Sequence, residues 1–172
     1  LASMQIMVPL MTEKFNESNW TDQEVGVAIG RGIPIVAVRL GKDPYGFIGK
    51  YQGMAGVGKD EVELARELFK LFLKHDEIRP LATDAWVVAI ENIIDYEHGN
   101  RLAEFLPMID ELTPDQVIRI VGAYNGSSQA RGSFGLNGDR PYHYGSGLPH
   151  HLTRITGQKY EFERGEIVLS DT

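Results

Sequence analysis

Two apolar runs near the start of the chain, residues 4–10 (MQIMVPL) and 34–40 (PIVAVRL), lack the strict alternation of a half-exposed strand and predict strands buried on both faces. Between them, residues 18–32 predict a helix. Ser18 is suited to its N-cap, and Gly30-Arg31-Gly32 supplies the left-handed residue at which helices stop, with Pro34 opening the next strand. Strand, helix and strand in this order predict a βαβ unit with parallel strands and a right-handed crossover. The helix then begins beyond the carboxyl edge of the first strand, where open α/β sheets bind ligands.

Further along, residues 41–52 are dense in Gly, Pro and aromatics and predict a loop at the same edge. Apolar residues at Val62, Leu64, Ala65, Leu68, Phe69, Leu71 and Phe72 predict an amphipathic helix from Glu61 to about Lys74 that packs on the sheet. The polar stretch 74–80 closes on Pro80 and predicts a boundary, so that residues 1–75 form one domain and 81–172 another. Beyond it the period is helical. Trp86, Val87, Ala89, Ile90, Ile93 and Ile94 predict a helix stopping by His98-Gly99, a second short helix surrounds Pro107, and Thr113-Pro114 starts a third that runs to Gly126. Low periodicity and many glycines make 125–148 a loop. Residues 149–155 then read as a short helix, and 159–163 as a final strand or tail. The fold class expected is therefore α/β, a parallel sheet with flanking helices followed by a small, mostly α-helical region.

Composition narrows the function. The 172 residues carry 24 acids against 17 bases, a net charge of −7, which argues against a general nucleic-acid binder. Zero cysteines exclude disulfides, thiolate zinc sites and thiol catalysis. No run approaches the roughly 18 apolar residues of a membrane span, and a cytoplasmic location is expected.

Candidate chemistry centres on Glu24. Trp20 lies four residues before it, so on a helix an aromatic plate stands beside the acid. The structural alternative is a capping box, Thr21-Asp22-Gln23-Glu24, with Glu24 bonding back to the Thr21 amide; Trp20 likewise reads as a packing residue. Residues 53–59 match Gly-x-x-x-x-Gly-Lys, yet Asp60 stands where a phosphate loop needs a hydroxyl and no buried strand directly precedes the motif, so that reading is rejected. His143, His150 and His151 lack the spacing and third donor of a metal site and read as surface or ligand-facing residues; no metal is expected. Arg131, Arg140 and Arg154 with Tyr142 and Tyr144 offer an anion pocket, or simply a solvated loop.

The stretch from Val8 to Gln52, with Ser18, Trp20-x-x-x-Glu24, Gly26, Ala28, GIPIV at 32–36 and DPYGFIG at 43–49, resembles the second half of a bacterial Toll/interleukin-1 receptor domain. The resemblance covers roughly the first 50 residues. It implies a partial flavodoxin-like parallel sheet, with NAD cleavage as the activity and NAD as substrate rather than cofactor. It further implies Glu24 as the catalytic residue, Trp20, Ser18 and Tyr45 as substrate-binding neighbours, and self-association through this domain. The family's first half has no counterpart here. A chain that opens on Leu1-Ala2-Ser3 and enters a core strand at once is expected to be a fragment. The helical remainder suits the sensor or interaction modules that follow such domains in some bacterial defence proteins.

Three functions of different class follow. The first is an NAD glycohydrolase in bacterial signalling or defence, in which Glu24 stabilises the charge that develops on the ribose. The second is a non-catalytic adaptor that assembles through the edge helix and the 43–49 loop. The third is a small nucleotide-binding α/β module with Glu24 as a cap. Catalysis requires the Glu24 carboxylate to be partly exposed and free of a buried cation, whereas a carboxylate locked onto the Thr21 amide favours the cap.

Overall fold

A computed structural model describes residues 3–17, 19–50 and 53–170. The chain is mixed α/β and divides into two compact units, 1–71 and 72–172.

The first unit holds three short strands, β1 (Leu10–Thr12), β2 (Val38–Leu40) and β3 (Met54–Ala55), in the order β1-β2-β3 and all parallel. Helix α1 (Asn19–Gly30) joins the first two. The parallel pairing across residues 4–40 is as expected, but the strands are shorter and later than the apolar runs, and Pro9 explains why. Met7 pairs with Ile35 and Leu10 with Val38 in one register. The bonds run Met7 N to Pro34 O (2.9 Å), Val36 N to Met7 O (3.0 Å) and Val38 N to Pro9 O (2.9 Å). The donor missing from this alternation is the nitrogen of Pro9, which carries no hydrogen. The ladder therefore spans residues 7–12 with one rung absent.

Helix α1 buries Val25 and Ala28 against Met11, Ile35 and Ala37, the heart of this unit's core. Its end is a Schellman turn: Ile33 N donates to Ala28 O (2.8 Å) and Gly32 N to Ile29 O (3.1 Å), with Gly32 at φ +68°. After β3 comes α2 (Glu61–Phe72), whose start is capped by Asp60.

In the second unit α3 (Arg79–Glu91), α4 (Tyr96–Ala103), a 3₁₀ turn (Leu106–Met108) and α5 (Pro114–Gly126) come first. Among the described residues no strand lies between 81 and 125, as expected. Trp86, Val87, Ile90, Leu102, Ile120 and Tyr124 are buried, and the Trp86 indole donates to Leu102 O at 3.0 Å. Thr113 and Gln116 form the capping box that opens α5.

Two expectations need correction here. The helix through Trp86 ends at Glu91, and His98-Gly99 lies inside α4, because Asp95 caps a new helix by accepting from the His98 amide at 2.7 Å. The glycine-rich segment 125–148 is not a loop. It contains α6 (Ser128–Gly132), α7 (Phe134–Asn137) and α8 (Pro141–Tyr144) and leads into α9 (Leu148–Thr156). Its glycines serve close packing: a Cβ on Gly132 would lie 2.3 Å from the Tyr96 ring, and one on Gly135 2.6 Å from Ala103. The strand expected at 159–163 is present as β4 (Tyr160–Glu163), and it pairs in a hairpin with β5 (Glu166–Leu169), turned by Arg164 (φ +53°) and Gly165 (φ +83°). Asn125 of α5 holds it, accepting from Ile167 N (2.8 Å) and donating to Ile167 O (3.0 Å).

Candidate functional site

In the first unit α1 follows the carboxyl end of β1, and the segment 41–50 follows that of its parallel neighbour β2. Glu24 stands on α1, half-buried, at one flank of the face that buries Val25 and Ala28. No capping box holds it. The helix begins at Asn19, so Thr21 lies inside it, and the Thr21 hydroxyl donates to Phe15 O at 3.0 Å. Among the described residues the Glu24 carboxylate has no hydrogen-bond or ion-pair partner. Trp20, one turn earlier on the same flank, is 73% exposed and so does not pack in the core. Ser18 lies outside the described residues, and its capping and substrate-binding roles with it.

Tyr45 is not brought to Glu24. Its hydroxyl donates to Asp22 Oδ1 at 3.2 Å, and at 100° per residue Asp22 lies about 160° around the helix from Glu24. Burial, and the carboxylate it donates to, hold the Tyr45 phenol above the ordinary tyrosine range. Beside this pair opens a cleft of about 230 Å³, lined by Phe15, Asp22, Val25, Tyr45, Phe47 and Ile48. The acid facing this cleft is thus Asp22, a residue the sequence reading passed over. Its spacing carried a signal, since Asp22 stands one turn before Val25 on the opposite flank from Glu24.

A second cleft of about 280 Å³ lies at the ends of β2 and β3, between Arg39, Lys42, Asp43 and Gly56. Arg39 pairs with Asp43 at 3.2 Å. Gly56 N donates to Arg39 O at 2.9 Å, and a Cβ on Gly56 would lie 2.7 Å from the Leu40 side chain and 2.8 Å from that of Val38, so glycine lets the chain pass close beside β2 here.

The phosphate-loop motif fails in the fold as in the sequence, though for one different reason. A strand is present, but β3 lies within the motif, so its backbone is committed to the sheet. Asp60 Oδ1 accepts from the amides of Val62 (2.9 Å) and Glu63 (2.8 Å), which occupies the donors a phosphate would need. Lys59 is paired with Glu67.

In the second unit the arginines do not converge. Arg131 donates to Asn125 O, Arg140 lies over the Phe134 ring at 4.2 Å, and Arg154 pairs with Asp110 at 2.9 Å while donating to Ile109 O. The side chain of Tyr142 lies outside the described residues. His151 is buried rather than at the surface, its ring 5.3 Å from that of His150, and burial pushes its pKa down to about 4. Among the described residues no group of three His, Asp or Glu side chains could hold a metal, and no helix is long and apolar enough to cross a membrane. No family model, no curated protein and no solved structure matches the chain.

Proposed function

We propose that this chain carries the catalytic helix of an NAD-cleaving domain of the Toll/interleukin-1 receptor type, with Glu24 as the catalytic carboxylate and NAD as substrate. The reading includes a cytoplasmic location, a place in bacterial signalling or defence, and self-association through the same domain. The observation that carries it is the state of Glu24: half-buried, unpartnered among the described residues, and relieved of the capping role that would otherwise account for it. Among the described residues its oxygens are neither sealed from solvent nor held by another group, the state in which an acid can meet a substrate.

The chemistry fits an acid so placed. As the bond from ribose C1′ to the nicotinamide nitrogen breaks, its electron pair leaves with neutral nicotinamide and positive charge spreads over the ribose ring. A carboxylate about 4 Å away stabilises that charge by ~4 kcal/mol at an effective dielectric of 20. The exposed Trp20 ring, on the same flank, offers a plate against which the sugar or base can rest.

The adaptor reading draws on a separate observation, the exposure of Trp20 (73%) and Phe47 (79%), large aromatic surfaces of the kind that self-association buries. One experiment separates the two. NAD consumption by the full-length protein is expected to fall about 10²-fold or more in Glu24→Gln. A folded variant that consumes NAD at the wild-type rate removes Glu24 from the chemistry, and self-association measured by light scattering then becomes the function to test.

A further inference from the structure

The cleft beside Tyr45 has a chemical character of its own. Buried Phe15, Val25 and Ile48 line its inner part, while half-buried Tyr45 and exposed Phe47 and Asp22 line its mouth. Phe15 and Tyr45 meet edge to face, with ring centres 6.2 Å apart. An apolar cavity of about 150 Å³ holds benzene, so about 230 Å³ is room for one substituted ring.

Charge decides which ring. Among the described residues the only partner of the Asp22 carboxylate is the neutral Tyr45 hydroxyl, and no cation pairs with it. A neutral apolar guest would strip water from this carboxylate without compensation, and an anion would be repelled. A flat cation is attracted both by the carboxylate and by the faces of the aromatic rings. The Tyr45 ring already takes a cation from outside the cleft lining: Lys42 Nζ lies 4.9 Å from its centre. Asp22 in the first turn of α1 also favours the helix through its dipole, but that role asks for no aromatic ring beside it.

We infer that this cleft binds a flat organic cation of the N-alkylated pyridinium class, its ring against Tyr45 and Phe47 and its charge at Asp22. The site is separate from Glu24. A ring bound at Asp22, on the other side of α1, cannot present its N-alkyl bond to that carboxylate, so the inference stands independently of the NAD-cleaving reading.

Calorimetric or NMR titration with 1-methylnicotinamide, with neutral nicotinamide and adenosine as comparisons, tests it. Saturable binding of the cation is expected, with nicotinamide and adenosine at least tenfold weaker. Asp22→Asn, a change at an exposed position, should weaken the cation tenfold or more. Glu24→Gln should bind it with the wild-type Kd, so failure of NAD cleavage and failure of this site are told apart. No saturable binding by the wild type, equal affinity for nicotinamide or adenosine, or an Asp22→Asn variant with native circular dichroism and unchanged Kd each overturns the inference.

Discussion

Gly99 of α4 and Ser133, between α6 and α7, stand so close that a Cβ on the glycine would lie 2.1 Å from the serine oxygen. Ser133 is fully buried, and its hydroxyl donates within reach of Gln129 O (2.8 Å) and Tyr96 O (3.1 Å), which ties the two segments together. In an isolated helix, replacing glycine by alanine gains about 1 kcal/mol. Here overpacking dominates, and Gly99→Ala is expected to lose about 1–3 kcal/mol. Gly122→Ala on α5, where the added methyl meets open space, should instead gain about 0.5–1 kcal/mol. Urea unfolding followed by Trp86 fluorescence, in a Trp20→Phe background, reads both; a stabilised Gly99→Ala variant would count against this packing.

Arg119 of α5 joins itself to α3, meeting Asp84 at 2.7 Å and both oxygens of Glu91 at 2.8 Å. The hydrogen bonds from Arg119 hold the Glu91 carboxyl below its ordinary value of 4.5. A carboxyl with a depressed folded pKa contributes stability above 4.5 and loses it as pH falls through the folded value. Glu91→Gln should therefore flatten the acid limb of the stability profile below pH 4.5. A limb of unchanged steepness would show the fork to be energetically idle.

His151 acts in a higher window. Its pKa falls from 6.5 to about 4, chiefly through burial and then through Arg154 and His150. The unfolded chain takes up a proton below pH 6.5 that the folded protein refuses, so stability declines between 6.5 and about 4. At 1.36 kcal/mol per unit, and with allowance for screening at this partly wetted flank, the decline amounts to about 1–2 kcal/mol. His151→Leu should remove it, as seen in urea midpoints measured from pH 7 to pH 4.5; persistence of the slope would assign it elsewhere.

The Arg164-Gly165 turn requires two left-handed residues in succession. Arginine pays the steric cost that asparagine largely avoids. Arg164→Asn is expected to stabilise the second unit by about 0.5–1 kcal/mol, and Gly165→Ala to destabilise it by at least about 1 kcal/mol. The same unfolding assay checks both, and a destabilised Arg164→Asn would contradict the turn.

Where the sequence reading succeeded, its signals were local. The parallel pairing around α1 followed from two apolar runs and a glycine stop, the Thr113 start of α5 from a cap and a proline, and the α/β class from both together. It failed where a residue's meaning depended on a distant partner. Gly132 and Gly135 read as breakers until Tyr96 and Ala103 were found against them, more than thirty residues away. The hairpin was half seen, although Arg164-Gly165 between two short β-prone runs is a local two-residue signal. At the candidate site, the pairing of Tyr45 with Asp22 joins positions 23 residues apart, and no periodicity reveals it. Nor does spacing tell whether Thr21 caps a helix or lies inside one, which decides how Glu24 is read.

The grip of Asn125 on Ile167 bears on how the end of the chain opens. One side-chain amide meets both backbone groups of a single residue, on the edge of β5 turned away from β4. Sliding β5 along α5 by one residue would present Glu166 or Val168, whose backbone groups point into the hairpin, so the helix itself sets the register. Exchange of the Ile167 amide hydrogen with solvent then requires the hairpin to lift off α5. That single amide is a clock for undocking of the chain's last two strands, and it runs whether or not they stay paired with each other.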